Sequence, residues 1–555
     1  MPVKFLLQKR IVLLLANCLF LLHFLNSFQY QPNWLQMKRI LFLPTVFLLI
    51  GFLHTQPAFG QAPLPDNFEE WIQEGMEQWK IPGLAIAIVK NDSIFYAGGF
   101  GVQRLGDETP VDEHTLFGIA SVSKNMTAAS LALLVDEGLL DWDDKVKDHL
   151  PWFELEDPWV TSEVRIRDLL IHRVGVGRML GNRLQYMTGM DRSELIYRMR
   201  YHELEEPFRS NYVYSNVMYM IAGELVAAAA EMSWDQFMAE RLFEPLGMNR
   251  TNTSITQISD GENAAWPHQY IKGEVETIPR RNWDNAAPAG GINASVYDAA
   301  QWLRMQLDDP GVYDGSRIIS RQAMREIHRP QISLPIRNPY GNQVSYGLGW
   351  RISEYEGQRI LSHGGATDGM NTSAAMIPEL NLGVIVVTNV FNTFREAVVN
   401  TVFDAFLELP QRDWNELYHN SYQSQYADAL ERRNQIEESR IEDTSKTLDR
   451  NAYIGGYYDN LYGRVEVTEG SDGLEMQFWN DPDLVADLEH WHYDTFRAVW
   501  RNPAQREEFL HFTLGQDGQI STLKFQFALR PVLLQVGAYP TDYYRVVSFE
   551  KMDDE

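Results

Sequence analysis

Residues 117–124 read FGIASVSK and lead into an apolar segment with helical periodicity that runs to Val135 and ends at Gly138. Ser121 and Lys124 are three residues apart, so they lie on one face of this predicted helix and within reach of each other. A serine hydroxyl is a weak nucleophile, and a desolvated amine that is neutral for part of the time can take its proton. The N-terminus of the helix adds a positive field where an oxyanion would form. The tetrapeptide alone is common, and its alternative interpretation is an N-cap serine followed by a solvated lysine.

Two further motifs lie downstream. Residues 214–216 read YSN and stand directly before the apolar helical segment Val217–Ala230, and residues 363–365 read HGG at the end of a predicted strand, Arg359–Ser362. The Gly-x-Ser-x-Gly motif of the α/β-hydrolase nucleophile elbow does not occur in the sequence, and neither does a Walker loop or a dinucleotide fingerprint after a strand. The motifs that remain favour serine chemistry centred on Ser121.

The order Ser-x-x-Lys, Tyr-x-Asn, His-Gly-Gly resembles the serine β-lactamase and penicillin-binding-protein superfamily. It most resembles the class C β-lactamase-related serine hydrolases, which include esterases and D-amino-acid peptidases. Further matching stretches are Phe117–Ala120, Leu169–His172, Pro288–Gly291, Tyr346–Trp350 and the pair Thr388 and Asn389. The resemblance covers roughly residues 68–405. It implies an α+β fold in which an antiparallel sheet is flanked by helices, as in serine β-lactamases and DD-peptidases.

The resemblance implies a role for each residue of the catalytic motifs. Ser121 would be the acylated nucleophile and Lys124 its proton partner. Tyr214 would act as general base or proton shuttle, and its alternative interpretation is an aromatic residue that caps a helix. The backbone N–H groups of Ser121 and Ala366 would form the oxyanion hole. The resemblance implies no cofactor and no metal ion.

The residues that the resemblance assigns to substrate binding are Asn216, His363, Gly364 and Gly365. Asn216 would orient Lys124 and hydrogen-bond the substrate amide. The two glycines would let the backbone of the strand approach the substrate closely. His363 has an alternative interpretation as a core histidine at the end of a strand.

The sequence departs from β-lactamases at residues 363–365. Those enzymes commonly carry Lys-Thr-Gly there, and a permanent cation pairs with the substrate carboxylate, whereas His363 is expected to be mostly neutral at pH 7. The difference disfavours penicillins and C-terminal D-Ala carboxylates as substrates, and it favours esters, amides or peptides without that charge. Residues 172–175 read HRVG where relatives usually carry His-Thr-Ser-Gly, and we interpret this loop as structural.

The leading hypothesis is an exported serine hydrolase that cleaves an ester, amide or peptide bond of a small-molecule substrate through a Ser121 acyl-enzyme. A β-lactamase or DD-peptidase is the alternative within the same family. A catalytically silent binding or sensor protein on the same fold is the alternative of another class. The presence of Ser121, Lys124 and Tyr214 together argues against a silent protein, since a binding module needs none of them.

Composition limits the partners of the chain. Its 555 residues carry 48 Lys+Arg against 75 Asp+Glu, a formal net charge of −27, so a nucleic acid would be repelled rather than attracted. The single cysteine, Cys18, excludes an intramolecular disulfide, a cysteine-based zinc finger and an iron–sulfur cluster. With 45% hydrophobic and 12% aromatic residues, the chain can bury several cores and is not wholly disordered.

Residues 1–60 contain no Asp or Glu and predict targeting. Residues 37–60 have the order of a secretory signal peptide: a short basic start, an apolar core at Ile40–Leu53 and a small-x-small cleavage site at Ala58–Gly60. Residues 1–36 are interpreted as an extension upstream of the true start, with an N-terminal membrane anchor as the alternative. Either interpretation predicts export, to the periplasm or the extracellular space.

Three further regions follow the targeting segment. Residues 61–408 are predicted as the hydrolase domain, residues 409–450 as a polar helical linker and residues 451–555 as a small all-β barrel. The elements predicted in the hydrolase domain are the helix Phe68–Trp79, the hairpin Gly83–Val89 with Ser93–Ala97, the strands Val344–Ile352, Arg359–Ser362, Thr372–Ile377 and Val384–Asn389, and the helix Arg395–Leu407. The strands predicted in the barrel are Tyr462–Thr468, Leu474–Phe478, Phe496–Val499, Phe509–Leu514 and Ile520–Phe527.

The C-terminal part resembles the lipocalin-like barrel that follows the hydrolase domain in some members of this family. Residues 453–458 (YIGGYY) and 490–496 (HWHYDTF) carry that resemblance. The string of His490, His492 and Asp494 at alternate positions also resembles the start of a metallo-β-lactamase zinc motif, but further ligands are not evident, so no metal site is predicted. The barrel is expected to pack beside the cleft, where it would limit substrate size or support oligomerisation.

Overall fold

The computed structural model describes residues 64–177, 184, 189–259, 261–271, 273–335, 343–471, 473–479, 481–503, 505, 507–528 and 544–552. The targeting region predicted at residues 1–60 lies outside these residues. No helix within the described part of the chain is both long and apolar enough to cross a lipid bilayer.

An antiparallel sheet of eight strands forms the centre of the hydrolase domain. The strands of this domain, in chain order, are β1 (Gly83–Lys90), β2 (Ser93–Gly101), β3 (Phe117–Gly118), β4 (His268–Ile271), β5 (Glu274–Thr277), β6 (Asn293–Ala294), β7 (Val312–Tyr313), β8 (Ser316–Arg317), β9 (Ile332–Ser333), β10 (Ser345–Tyr346), β11 (Arg351–Tyr355), β12 (Gln358–Thr367), β13 (Met370–Ile377) and β14 (Leu382–Thr388). The order in the large sheet is β2-β1-β14-β13-β12-β11-β10-β9, and β3–β6, β4–β5 and β7–β8 form separate two-stranded ladders.

Helices pack on the two faces of this sheet. The α-helices of the described residues are α1 (Phe68–Gln78), α2 (Ser123–Asp136), α3 (Val146–His149), α4 (Pro158–Glu163), α5 (Ile166–Leu170), α6 (Arg192–Arg198), α7 (Asn216–Ala230), α8 (Trp234–Met238), α9 (Ala287–Gly290), α10 (Val296–Gln306), α11 (Arg321–His328), α12 (Phe394–Phe406) and α13 (Trp414–Glu438). Strands β1 and β14 are apolar at almost every position, and β14 is buried along its whole length. Successive side chains of a strand point to opposite faces of the sheet, so burial of every side chain requires that other elements pack on both faces.

Helix α2 is the central helix of the domain. Its residues from Ser123 to Leu134 are all buried, the polar ones near its start as well as the apolar ones that follow. Helices α7 and α9 pack against it. At Gly223 in α7 a Cβ atom would lie 2.4 Å from Pro288 Cγ, so glycine is what lets α9 approach α7 this closely. This packing brings the N-terminal ends of α2 and α7 together at one place.

The predicted α+β fold with a flanked antiparallel sheet is confirmed, and one strand prediction within it is wrong. The predicted strand Val344–Ile352 is two short strands, β10 and β11, joined by a turn. Gly347 N donates to Trp350 O at 2.7 Å and Gly349 has a left-handed backbone, φ 82°, so the glycines reverse the chain. Strand β12 also continues through the HGG motif to Thr367 instead of ending before it.

Helix α13 connects the hydrolase domain to the C-terminal barrel. Near its start Trp414 Nε1 donates to Asp404 Oδ2 at 2.7 Å, and near its end Arg497 Nη1 of the barrel donates to Glu437 Oε1 at 3.2 Å. The helix ends at Glu438, so it is shorter than the helical linker predicted at 409–450. The residues that follow Glu438 lie along the barrel.

The C-terminal region is a closed antiparallel barrel of eight strands, which confirms the predicted all-β barrel. Its strands are β15 (Gly455–Asp459), β16 (Gly463–Glu469), β17 (Leu474–Phe478), β18 (Val485–His492), β19 (Thr495–Trp500), β20 (Glu508–Leu514), β21 (Ile520–Ala528) and β22 (Tyr544–Lys551). The sequence prediction missed β15, β18 and β22. Half of the residues of β18 are acidic or histidine, which hides the alternation of apolar and polar residues. The barrel closes where β15 pairs with β22, a long-range contact that no local pattern shows. Aromatic side chains that pack inside the barrel include Tyr453, Tyr457, Phe478, Phe496, Phe512 and Phe549.

The hairpin that carries the HWHYD string fastens the linker to the barrel. Asp494 accepts hydrogen bonds from Thr447 N at 2.9 Å and from Thr447 Oγ1 at 2.6 Å. Arg440 Nε donates to Trp491 O at 3.0 Å. The spacing that resembles a zinc motif therefore has a structural use here. In the described ranges no three His, Cys, Asp or Glu side chains are placed to hold a metal ion.

The barrel packs directly on the hydrolase domain. Arg198 of α6 donates from Nη1 to Asn460 O at 2.8 Å, and its guanidinium lies 4.8 Å from the ring centre of Trp479. On another side Gln269 Nε2 donates to Pro503 O at 3.1 Å. These contacts join the two parts into one compact unit. An effect of the barrel on substrate size stays a prediction.

Candidate active site

Ser121 lies in a short 3₁₀ turn, Ala120–Val122, between β3 and α2. Ala120 has a left-handed backbone, φ 49°, which is costly for a residue other than glycine and occurs often at functional turns. Ser123 Oγ donates to Ala120 O at 2.6 Å and accepts from Ile292 N at 3.2 Å, so a buried side chain holds the turn in place. The side chain of Ser121 is half-buried and accessible at the domain surface.

Lys124 is fully buried one turn further along, at the start of α2. Its Nζ donates to Asn216 Oδ1 at 2.7 Å, to Ala289 O at 2.6 Å and to Ser121 Oγ at 3.1 Å. Asn216 is the first residue of α7, and Ala289 belongs to α9. The close packing of α2, α7 and α9 therefore places the lysine amine beside the serine oxygen.

Tyr214 precedes α7 and reaches the same serine from the other side. Its Oη donates to Ser121 Oγ at 2.9 Å, and Lys124 Nζ lies 4.9 Å from the centre of its ring. The ring packs on His172 at 4.4 Å between ring centres, and His172 Nδ1 accepts from Ser215 N at 3.0 Å. His172 thus supports both the ring and the backbone of the YSN motif. The structure brings Ser121, Lys124, Tyr214 and Asn216, all named from the sequence, into one hydrogen-bonded group.

The HGG motif lies on the stretch of β12 that has no strand partner among the described residues on its β11 side. The ladder between β11 and β12 ends at Ser362, and the segment His363–Thr367 pairs with β13 on its other edge. A Cβ atom on Gly365 would lie 2.3 Å from Ile119 O and 3.0 Å from Ala120 Cβ, so only glycine fits where the strand passes the serine turn. Gly364 has room for a side chain. Of the two glycines predicted to allow close approach, only Gly365 is required by its neighbours.

His363 is buried and neutral at ordinary pH. Burial and the nearby charge of Lys124 lower its pKa from 6.5 to about 3. Its Nδ1 lies 2.7 Å from Gly364 O and must donate to that carbonyl, so Nε2 carries the lone pair and accepts from Tyr346 Oη at 2.9 Å. Burial also raises the pKa of the Tyr346 phenol, which keeps it a donor. The position occupied by a lysine cation in β-lactamases therefore holds an uncharged side chain.

Several functional contacts were not assigned from the sequence. The carbonyl of Ala289 and the rings of His172 and Tyr346 belong to stretches noted only as marks of the family. Asn371, which lies opposite Ala366 in the β12–β13 ladder, was not noted at all. No local spacing marks these residues, because each acts through packing against a distant element.

The family follows from this fold and this site. The family description Beta-lactamase matches residues 68–407, more than half of the chain. The chain belongs to the Beta-lactamase family, and it is a serine hydrolase with the α+β fold of penicillin-binding proteins. Residues 439–536 match a second family, described as a domain of unknown function (DUF3471).

Among its relatives, the unguisins hydrolase ungD' of Aspergillus campestris is 27% identical over 428 residues, which cover 73% of this chain and 78% of that protein. The unguisins hydrolase ungD of Aspergillus violaceofuscus is 25% identical over 459 residues and covers 75% and 79%. The solved octameric penicillin-binding protein homologue from Pyrococcus abyssi has a TM-score of 0.55 at 19% identity, covering 86% of this chain and 98% of that one. The crystal structure of SurE has a TM-score of 0.52 at 18% identity, covering 87% and 98%. At these identities the two structures show the fold alone.

Proposed function

We propose that this chain is an exported serine hydrolase that cleaves an ester or amide bond, peptide bonds included, through a covalent acyl-enzyme on Ser121. The observation that carries the proposal is the pair of groups on Ser121 Oγ: Lys124 Nζ at 3.1 Å and Tyr214 Oη at 2.9 Å. Burying a lysine is costly unless its nitrogen is well hydrogen-bonded, and here one of its partners is the serine itself. This arrangement activates a nucleophile.

The reaction proceeds in two halves. Ser121 Oγ attacks the carbonyl carbon while its proton passes to Lys124 Nζ, directly or through Tyr214; for this transfer Nζ must be uncharged and accept from Ser121 Oγ, the reverse of the hydrogen bond that the ammonium donates. The oxyanion that forms accepts hydrogen bonds from the backbone N–H groups of Ser121 and Ala366. Collapse breaks the C–O or C–N bond, and the transferred proton goes to the leaving alcohol or amine. Water then attacks the acyl carbon and gives a proton to the same groups; the bond from the acyl carbon to Ser121 Oγ breaks, that proton returns to Oγ, and the carboxylic acid leaves.

Three features support an uncharged, extended substrate. His363 is neutral, so it offers no cation for a substrate carboxylate. Gly364 is exposed and adds no side chain to β12, and the edge of β12 beyond Ser362 can pair with an extended chain by backbone hydrogen bonds. Two relatives are named unguisins hydrolases, and SurE has also been solved with D-Leu. We therefore include peptides with D-residues among the substrates to test.

The test compares Ser121→Ala with a matched change on the same helix. Ser130 is buried in α2, and its Oγ donates to Thr127 O at 2.7 Å, so Ser130→Ala controls for a lost hydroxyl away from the site. Wild type and both variants are incubated with p-nitrophenyl esters, a panel of L- and D-peptides, a fluorophosphonate and a fluorescent penicillin. We expect hydrolysis and fluorophosphonate labelling in wild type and Ser130→Ala, and neither in Ser121→Ala.

Other outcomes separate the alternatives. Rapid turnover of the penicillin would favour a β-lactamase, and stable labelling by it would favour a DD-peptidase. Absence of labelling and turnover across the whole panel would refute the hydrolase proposal and favour a binding protein. Intact-mass measurement of the protein after expression tests export, because cleavage after Gly60 is expected and a mature form that retains residue 1 would contradict it.

A further inference from the structure

Asn371 is a buried residue of β13 whose side chain contacts the strand that carries the HGG motif. Its Nδ2 donates to Gly365 O at 2.9 Å. Its Oδ1 accepts from Asn392 N at 3.2 Å and from the guanidinium of Arg395. Because both of these partners are donors, the oxygen of the amide must face them, and the nitrogen must face Gly365 O. The orientation of the side chain is therefore determined by its neighbours.

The residues behind Asn371 are themselves held in place. Arg395 lies in the first turn of α12 and is buried. Its Nε donates to Thr372 O at 3.3 Å, and its Nη2 pairs with Glu396 Oε1 at 2.7 Å. The side chain of Asn392 accepts from Arg395 N at 3.3 Å. The first turn of α12 and the loop residue Asn392 thus support the amide of Asn371, which makes it a stiff donor toward β12.

The contact on Gly365 O adds to the pairing of β12 with β13 in fixing where the next N–H points. The carbonyl of Gly365 and the N–H of Ala366 belong to one planar peptide unit, so holding one end holds the other. Gly364 and Gly365 in succession leave the backbone freer to rotate than any other pair of residues. Asn371 restrains that rotation from the neighbouring strand β13, on the edge of β12 opposite the one that β11 leaves unpaired. The N–H of Ala366 is one of the two oxyanion donors in the proposed reaction.

We propose that Asn371 is a positioning residue, which holds the Gly365–Ala366 peptide so that the N–H of Ala366 is directed at the developing oxyanion. The inference rests on the proposed function, since it needs an oxyanion at Ser121. Asn371 touches neither the substrate nor Ser121, and it acts through the backbone of β12. Its effect should therefore be larger on the transition state than on the bound substrate.

The test is Asn371→Asp, which removes the donor to Gly365 O and keeps an oxygen for Arg395 and Asn392 N. The carboxylate should be ionised beside the guanidinium, so the fold keeps its contacts on that side. We expect kcat for a p-nitrophenyl ester to fall about tenfold, less than the 100- to 1000-fold loss for removing an oxyanion donor. KM should change by less than about twofold, because ground-state binding is unaffected. The affinity for phenylboronic acid, which forms a tetrahedral adduct with a serine, should fall in parallel with kcat.

The matched control is Asn392→Asp, the same substitution in the same network. The Nδ2 of Asn392 donates to Thr388 Oγ1 and Val390 O, both at 2.9 Å, and not to β12. This variant should have a lower melting temperature with kcat and boronate affinity close to wild type. Equal kcat losses in the two variants, or wild-type kcat and boronate affinity in Asn371→Asp, would overturn the positioning role. Ester turnover that survives Ser121→Ala would refute the proposed function instead, so the two failures are distinguishable.

Discussion

Replacing Gly365 by alanine tests how closely β12 must pass the serine turn. A Cβ atom at Gly365 would lie 2.3 Å from Ile119 O and 3.0 Å from Ala120 Cβ. At Gly364, the residue before it, the nearest heavy atom to an added Cβ would be Thr372 O at 3.8 Å. The two variants carry the same chemical change at adjacent positions and differ in the room available. Gly365→Ala should lose most of the activity, and Gly364→Ala should lose far less.

The size of the loss follows from the displacement. Ile119 O is a backbone atom that cannot swing aside, so restoring ordinary contact at 3.4 Å moves β12 away from the turn by about 1 Å. A misplacement of about 1 Å at a reacting centre costs about 100-fold in rate. Removing one oxyanion donor costs about 100- to 1000-fold, which is the limit if Ala366 leaves the site altogether. Overpacking of this kind also costs about 1–3 kcal/mol of stability. We expect kcat/KM of Gly365→Ala to be about 100-fold below wild type.

The assay is steady-state hydrolysis of a p-nitrophenyl ester, with thermal melting to confirm that both variants are folded at the assay temperature. Fluorophosphonate labelling counts the competent sites, so a loss of rate can be separated from a loss of protein. A Gly365→Ala variant with kcat/KM within threefold of wild type would refute the steric reasoning. So would a Gly364→Ala variant that loses as much as Gly365→Ala.

Two further predictions concern Tyr214 and His363. Tyr214→Phe removes the hydroxyl that donates to Ser121 Oγ and keeps the ring that packs on His172. We expect kcat to fall about 100-fold or more while the melting temperature is unchanged. Unchanged ester turnover would show that Lys124 alone moves the proton. His363 has a folded pKa of about 3 against an ordinary 6.5, so its contribution to stability is complete above pH 6.5 and is lost as the pH falls toward 3. From pH 7 to pH 5 the free energy of unfolding in urea should therefore fall by about 2 kcal/mol more in wild type than in His363→Gln. Equal pH dependence of the two unfolding free energies would contradict a buried neutral histidine.

The sequence predicted the α+β hydrolase fold and the C-terminal barrel because both have strong local patterns. The strand β14 is a continuous apolar run, and α2 has a helical pattern that ends before Gly138, so each could be placed without its neighbours. The turn between β10 and β11 was missed, since Gly347 and Gly349 interrupt a run that otherwise reads as one strand. Strand β18 was missed because charged residues and histidines occupy half of it. The local sequence pattern predicted an element correctly where the residues along it share one environment. It failed where the environment of the residues changes within the element.

Strand β12 shows the same division, between what local pattern predicts and what it misses, at the scale of single residues. The HGG motif indicated a close approach of backbone to the site, and the structure assigns that need to Gly365 and not to Gly364. The neutral state expected for His363 at pH 7 agrees with its lowered pKa, although the cause, burial beside Lys124, is a tertiary contact. The sequence contains no sign that Asn371 contacts Gly365.

The sequence by itself named Ser121 as the candidate nucleophile and Lys124 as its candidate proton partner. The spacing of three residues predicted that Ser121 and Lys124 lie close together; in the structure Ser121 lies in the 3₁₀ turn before α2 and Lys124 in the first turn of α2. The tertiary structure decided how the site is completed: it brings Tyr214, named from its motif 93 residues away, to Ser121 Oγ, and it adds the carbonyl of Ala289 and the amide of Asn371. These groups meet because α7, α9 and β13 pack against α2 and β12 at close quarters. Such contacts depend on the shape of whole elements, and no spacing along the chain encodes them.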